Sequence, residues 1–205
     1  MNNRWNEIIY KLWSPMYDRI FNTGKFLEAR QKLFHHPPFH PHQRILFVGV
    51  GTGADLELLN HTEFQITAID YSGDMLQKAK DKFKDTTIEF IQMDAQQMSF
   101  TDNSFDAVIG SLILSVVPDP DRCMKEMIRV LKPQGTMIIF DKFSPSKMSL
   151  IKRMVRPFVK MLGTDIGVNF ENLYEQNHKA IILKEDEPLL FNGMYRKIIL
   201  TKTGR

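Results

Sequence analysis

From Arg44 onward the chain repeats one pattern: a short apolar run rich in β-branched residues, a break at glycine or aspartate, then a stretch whose apolar positions return every three or four residues. Such alternation specifies strands and helices in turn, as in parallel α/β architecture. It predicts strands over 44–49, 65–70, 87–92, 105–110 and 135–141, separated by helices over Ala54–Asn60, Gly73–Lys84 and Pro120–Leu131. Lys132-Pro133-Gln134-Gly135 reads as a helix stop before the next strand. Further on, the periodicity predicts a helix over Lys147–Leu162 kinked at Pro157, a short helix near Glu171, and two β-rich runs joined at Asn192-Gly193, a strong hairpin signal.

Upstream of Arg44, Trp5, Ile8, Ile9, Leu12 and Trp13 share one face of a predicted helix. A second helix follows Thr23 or Gly24 and runs through Phe26, Leu27, Ala29 and Leu33. The proline-broken segment from His35 to His42 then reads as a linker. The expected organisation is one unit over 1–205: an N-terminal helical lid and linker (1–42), a ligand-binding core (43–141), and substrate-side helices with a hairpin (142–205).

Composition narrows the functional classes. A chain of 205 residues, 43% hydrophobic and 25% charged, can bury one substantial core. Its formal charge of +3, from 27 basic and 24 acidic residues, excludes the whole-surface field that drives generic nucleic-acid binding. The single cysteine, Cys123, cannot form an internal disulfide, and MNNRWNEIIYKLW lacks a secretory pattern, so a cytoplasmic protein is expected. The longest nearly apolar run, Ala107–Val117, falls short of the ~20 residues that span a bilayer, which leaves surface binding open.

The chemistry gathers at predicted strand ends. Ile45-Leu46-Phe47-Val48 leads into Gly49-Val50-Gly51-Thr52-Gly53-Ala54, a glycine-rich turn that lets backbone approach a ligand closely. Gly49, Gly51 and Ala54 also satisfy the dinucleotide spacing G-x-G-x-x-A, so this loop alone leaves two cofactor classes open. Ala68-Ile69-Asp70 puts a carboxylate where it can accept from both hydroxyls of a ribose, which both cofactor classes carry. Met93-Asp94-Ala95, after the third strand, adds a second carboxylate and a backbone amide beside the expected adenine pocket, a spacing that favours an adenosyl cofactor. Short-chain dehydrogenase chemistry lacks its Tyr-x-x-x-Lys pair, since none of Tyr10, Tyr17, Tyr71, Tyr174 and Tyr195 precedes a lysine by four.

Through VGVGTGAD, AIDYSGDML, IEFIQMDAQQMSF and FDAVIGSLILSVVPDPDRCMKEMIRVLKPQGTMIIFD, residues 44–141 resemble the class I S-adenosylmethionine-dependent methyltransferases. The resemblance implies a Rossmann-like three-layer α/β sandwich: a mostly parallel seven-stranded sheet, an antiparallel C-terminal hairpin and an N-terminal helical lid. It also implies S-adenosylmethionine as cofactor, with S-adenosylhomocysteine as product. Gly49, Val50, Gly51 and Gly53 would line the methionine part, Asp70 would hold the ribose, Tyr71 and Met75 would flank the adenine, and Asp94 with Ala95 would meet its edge. Ser111 and Leu112 would face the methionine end. The chain departs from the family at Phe47, where an acidic residue often helps order the glycine loop.

A narrower resemblance, to soluble bacterial phosphatidylethanolamine N-methyltransferases and to methyltransferases of quinone precursors, rests on residues 13–21, on Ser115-Val116-Val117-Pro118-Asp119-Pro120, and on the tail from Pro157 to Tyr195. It implies a small-molecule or lipid acceptor. No Asn-Pro-Pro-Tyr or Asp-Pro-Pro-Tyr motif follows the fourth predicted strand, so nucleic acid is not the expected partner.

Methyl transfer from a sulfonium is an in-line displacement that asks the protein chiefly to align a nucleophile and exclude water. An alkylammonium acceptor must lose a proton, and Tyr17 or Asp18 is placed to assist; the alternative is that Tyr17 packs over the cofactor and Asp18 pairs locally. The Trp5/Trp13 stripe and the basic positions Lys142, Lys147, Lys152, Arg153, Arg156 and Lys160 either meet an anionic bilayer as a peripheral contact at the inner membrane face or bury their apolar sides on the sheet. His35, His36, His40 and His42 lie on a proline-broken segment with no fixed ligand face, so no metal is expected, and Cys123 falls at core spacing with Met127 and Val130.

Overall fold

In the first core strand, β1 (Arg44–Val48), every residue after Arg44 is buried, as in a strand covered on both faces. Ile45 and Phe47 point to one face and Leu46 and Val48 to the other, because side chains alternate along a strand. The computed structural model describes residues 23–35, 37–145, 154–156, 159 and 164–204. Its remaining strands are β2 (Gln65–Asp70), β3 (Glu89–Gln92), β4 (Phe105–Ser111), β5 (Leu131–Lys142), β6 (Ile181–Leu190) and β7 (Tyr195–Lys202). They form one seven-stranded sheet in the order β3-β2-β1-β4-β5-β7-β6. Neighbours from β3 to β5 run parallel, whereas β7 pairs antiparallel with both β5 and β6. Pro188 sits in β6, an edge strand, where a missing backbone donor is tolerated.

The helices bounded within the described residues are α1 (Gly24–Phe34), α2 (Gly73–Lys82), α3 (Pro120–Val130) and α4 (Phe170–Asn177). Ala29, Leu33 and Phe34 of α1 pack with Phe47, Ile109 and Phe140 on one face of the sheet. Met124, Met127 and Ile128 of α3 join Phe170 and Leu173 of α4 on Leu46, Val108 and Ile139 of the other. Cys123 is fully buried in that second layer. Ser72 caps α2 by accepting from Met75 N at 3.3 Å, and Asp119 caps α3 by accepting from Arg122 N at 3.0 Å ahead of Pro120. Each such cap contributes about 1 kcal/mol.

Two sequence expectations change, and a third lies mostly outside the described residues. Residues 54–60 do not form an α-helix; the glycine loop opens into two short 3₁₀ turns, Leu56–Leu58 and His61–Glu63. Burying Leu56 and Leu59 in so short a connection leaves no room for further turns before Phe64 must enter the core. Strand β5 begins at Leu131 rather than 135, because Lys132–Gly135 runs on from α3 as irregular strand, with a register shift against β4 and Gln134 at φ 63°. Of the helix expected over 147–162, only 154–156 and 159 lie among the described residues, and these are helical.

The hairpin turn between β6 and β7 is strained. Phe191, Asn192 and Gly193 follow one another at φ 50°, 53° and 83°. Asparagine and glycine tolerate that region, but a phenylalanine held there costs about 1–2 kcal/mol.

Candidate functional site

The strand order reverses at β1: β2 lies on one side and β4 on the other. In open α/β sheets, ligands bind outside the carboxyl ends of the strands at such a switch point. The segments leaving β1, β2, β3 and β4 there carry the glycine loop, Asp70, Asp94 and Ser111 respectively, so the topology brings the sequence-predicted binding residues to one edge.

The three glycines play different parts. Gly49, Gly51 and Gly53 all have positive φ (72°, 56° and 82°). A side-chain carbon on Gly49 would stand 2.6 Å from Ile113 Cδ1, and one on Gly53 would stand 2.8 Å from Phe83 Cε2. Gly49 and Gly53 are therefore required by the protein's own packing. At Gly51 such a carbon would meet nothing within 4 Å among the described residues, so this glycine faces open space where a ligand can approach the backbone. Val50 is buried between them.

Asp70 fastens this loop. One carboxylate oxygen accepts from Gly51 N at 2.8 Å and the other from Ser72 N at 2.8 Å. Burial pushes the Asp70 carboxyl above the ordinary aspartate range, against the opposing pull of the Ser72, Gly51 and Tyr71 amides. Phe47 is buried and stacks on Phe34 at 6.4 Å, so the position where relatives often carry an acid belongs to the core under α1. The ordering of the loop falls to Asp70 instead. Each carboxylate oxygen has a second lone pair, which leaves capacity for ribose hydroxyls.

Around this centre Tyr71 is 40% exposed, whereas Met75 is buried with its amide on the Ser72 cap. Asp94 is half-buried and accepts from the backbone amide of Gln96 at 2.8 Å and from its side-chain amide at 3.0 Å. The buried Gln96 side chain in turn accepts from Asp119 N at 2.9 Å, which ties the third-strand loop to the start of α3. Gln96 was missed by sequence reasoning; its signal is the short Asp-x-Gln spacing after β3. Ala95 is buried, and Ser111 and Leu112 are half-buried. Leu112 adopts φ 56° and donates its amide to Phe140 O at 2.6 Å. A left-handed leucine of this kind is a strain that concentrates at functional crevices.

A second polar group lies beyond β4. Asp141, at the carboxyl end of β5, is fully buried and accepts from Ser115 N at 3.1 Å and Lys142 N at 2.8 Å. The buried Ser115 hydroxyl stands beside it without a hydrogen bond of normal length. Burial pushes the Asp141 carboxyl up, and burial with the Asp141 charge pushes the Tyr195 phenol up to about 12. Sequence reasoning did not single out Asp141, although Ile138-Ile139-Phe140-Asp141 repeats the apolar run ending in aspartate seen at Asp70.

Two of the basic positions for which membrane contact and packing on the sheet were the alternatives are held by partners within the protein. Lys142 reaches Thr164, and Arg156 makes a bidentate pair with Asp165 at 2.8 and 2.9 Å. Tyr17 and Asp18, the residues expected to assist proton loss, lie outside the described residues, as do Trp5 and Trp13.

Residues 46–139 match the family model described as a methyltransferase domain. The chain is 34% identical over 193 residues to a phosphatidylethanolamine N-methyltransferase from Cereibacter sphaeroides, covering 91% of this chain and 92% of that protein. It is 39% identical over 136 residues to a demethylmenaquinone methyltransferase from Renibacterium salmoninarum, covering 65% of this chain but only 56% of that protein. Among solved structures, the cyclase SpnF aligns at TM-score 0.80 with 17% identity, covering 99% of this chain and 97% of that one. An S-adenosylmethionine-dependent methyltransferase from Methanosarcina mazei aligns at TM-score 0.65 with 21% identity, covering 82% and 96%. Both structural matches speak to the fold alone, and a cyclase among them shows that the fold does not dictate the reaction.

Proposed function

The chain belongs to the class I S-adenosylmethionine-dependent methyltransferases, and we propose that it methylates the amine of an amphipathic acceptor of the phosphatidylethanolamine type. The observation that carries this reading is the near-full-length likeness to the Cereibacter enzyme, which extends beyond the cofactor core into the segments on either side of it. The likeness to the quinone methyltransferase is confined to about half of that relative.

The cofactor is S-adenosylmethionine, and the crevice fits it. Gly51 leaves open space above the loop, Asp70 offers acceptor capacity beside it, and Asp94 with Ala95 borders the neighbouring strand end. The cofactor supplies the methyl electrophile on its sulfonium. The protein's part is to hold the glycine loop in register through Asp70, to shape the far wall with Ser111 and Leu112, and to keep water from the reacting line. An ammonium acceptor must arrive at the crevice without its proton; Tyr17 and Asp18 are proposed to assist.

No described helix is long and apolar enough to cross a membrane, so a lipid acceptor would be met at a bilayer surface. The test is incubation with methyl-labelled cofactor and either phosphatidylethanolamine vesicles or a demethylated quinol. Label in the lipid headgroup is expected. Label in the quinol ring alone would replace the amine reading with carbon methylation, and binding of S-adenosylhomocysteine without turnover on either would overturn the phosphatidylethanolamine-type acceptor.

A further inference from the structure

The turn between β6 and β7 stands on the same carboxyl edge of the sheet as the glycine loop, because β7 begins opposite Lys142 at the end of β5. Two hollows flank it. The larger, about 640 Å³, is lined by Phe143, Pro188, Phe191, Met194 and the trio Glu171, Asp186 and Arg196. The smaller, about 480 Å³, is lined by Lys25, Leu189, Leu190 and Phe191. Pro188 and Phe191–Gly193 border both, so the turn is the ridge between them.

The charged side of the larger hollow is rigid. Arg196 binds Asp186 Oδ1 at 2.8 Å and Glu171 Oε1 at 2.7 Å, and its guanidinium lies over the Phe143 and Phe170 rings at 5.6 and 5.2 Å. On the ridge, Phe191 is 59% exposed although its ring touches those of Phe26 and Tyr195. A left-handed backbone and solvent exposure are both unfavourable for phenylalanine, and asparagine or glycine would relieve both. The ring contacts with Phe26 and Tyr195 account for part of the side chain; contact with an apolar ligand accounts for the exposed remainder.

We infer that Phe191 and its flanking hollows form the subsite for the hydrocarbon chain of an amphipathic acceptor. The chain lies over Phe191, Leu190 and Met194, and the polar head reaches from there along the carboxyl edge, past the end of β5, to the cofactor crevice. This rests on the reading of an amphipathic acceptor but not on the identity of its headgroup. An apolar ridge on the sheet edge that also carries the crevice suits a molecule whose polar head reacts there and whose saturated tail extends outward, and a small polar acceptor would leave the ridge uncovered.

The test is calorimetric titration of the full chain, saturated with S-adenosylhomocysteine, with four probes below their micelle concentrations: lauroyl lysophosphatidylethanolamine, phosphoethanolamine, dodecyl hydroquinone and hydroquinone. The wild type should bind the chain-bearing member of whichever pair it accepts more tightly. Phe191→Asn, which suits the left-handed backbone, should lower that affinity about tenfold and leave the chainless partner unchanged, with thermal stability held or raised. Phe191→Leu should restore most of the preference. Equal affinity of the wild type for chain-bearing and chainless probes, or an undiminished chain preference in Phe191→Asn, would overturn the subsite. Chain preference on the quinol pair alone would keep the subsite and overturn the amine reading.

Discussion

Replacing Asp70 with alanine strips the acceptor from two backbone amides at once, those of Gly51 and Ser72, each held at 2.8 Å. Hydrogen bonds to a charged group contribute about 1.5–3 kcal/mol each. Desolvation of the same carboxylate offsets part of that gain, and water reaches the half-exposed loop in the variant, so Asp70→Ala should cost about 1–2 kcal/mol of folding stability. Set against the ~5–15 kcal/mol of a typical domain, the variant still folds. Binding of S-adenosylhomocysteine suffers separately, since the loop must be re-ordered and at least one charged contact to the ribose disappears. The expected loss is about 1.5–3 kcal/mol, or roughly 10- to 100-fold in Kd. Asp70→Asn keeps one oxygen and should show about half of each effect. Calorimetric titration and urea unfolding read the two quantities independently. A Kd within about twofold of the wild type in folded Asp70→Ala would refute the reasoning, because it would show that the loop is ordered without this carboxylate.

The glycines should separate by phenotype. Gly49→Ala puts a carbon 2.6 Å from Ile113 and should lower the unfolding midpoint most, whereas Gly51→Ala carries only the strain of its φ of 56° and should lower it less while abolishing S-adenosylhomocysteine binding; thermal melts with and without ligand distinguish the two. Asp70 should also make stability and affinity answer pH in opposite senses. Its folded carboxyl is raised, so the folded state holds the proton more tightly; this contribution to stability is full below the ordinary value of about 3.9 and is lost as pH rises through the raised value. Ligand affinity, which needs the carboxylate, should fall as pH drops through that same raised value, and Asp70→Asn should flatten both profiles. Cys123, fully buried with its thiol pushed up by burial, should ignore a disulfide-exchange reagent in the native protein and react once the chain is unfolded, as thiol titration with and without denaturant would show.

Most of the sheet was legible because its strands are either continuous apolar runs or end in turn residues. The positions that escaped are those where tertiary demands override local pattern. Ala54–Asn60 carries helical spacing, yet the short path from the glycine loop to Phe64 leaves room only for 3₁₀ turns. The motif placed Asp70 at the site, but its grip on Gly51 depends on where β1 and β2 end relative to one another, a relation that appears only when the strands are paired. Asp141 and Gln96 went unremarked for the same reason, since their importance lies in partners 26 and 23 residues away. The strain at Phe191 is likewise a backbone fact; Asn192-Gly193 announced a hairpin without showing that the residue before them shares its left-handed conformation.

The 3₁₀ turns beyond the glycine loop carry a consequence for electrostatic selection. A long helix starting there would aim the positive end of its dipole at the crevice, favouring polyanions such as a pyrophosphate. Three-residue turns project almost no such field, so the carboxylates of Asp70 and Asp94 set the sign of the potential. A crevice of that polarity attracts a cationic sulfonium and holds the neutral thioether left after transfer less strongly. Charge alone thus biases the crevice toward capture before the reaction and release after it, giving turnover a direction that no moving part has to provide.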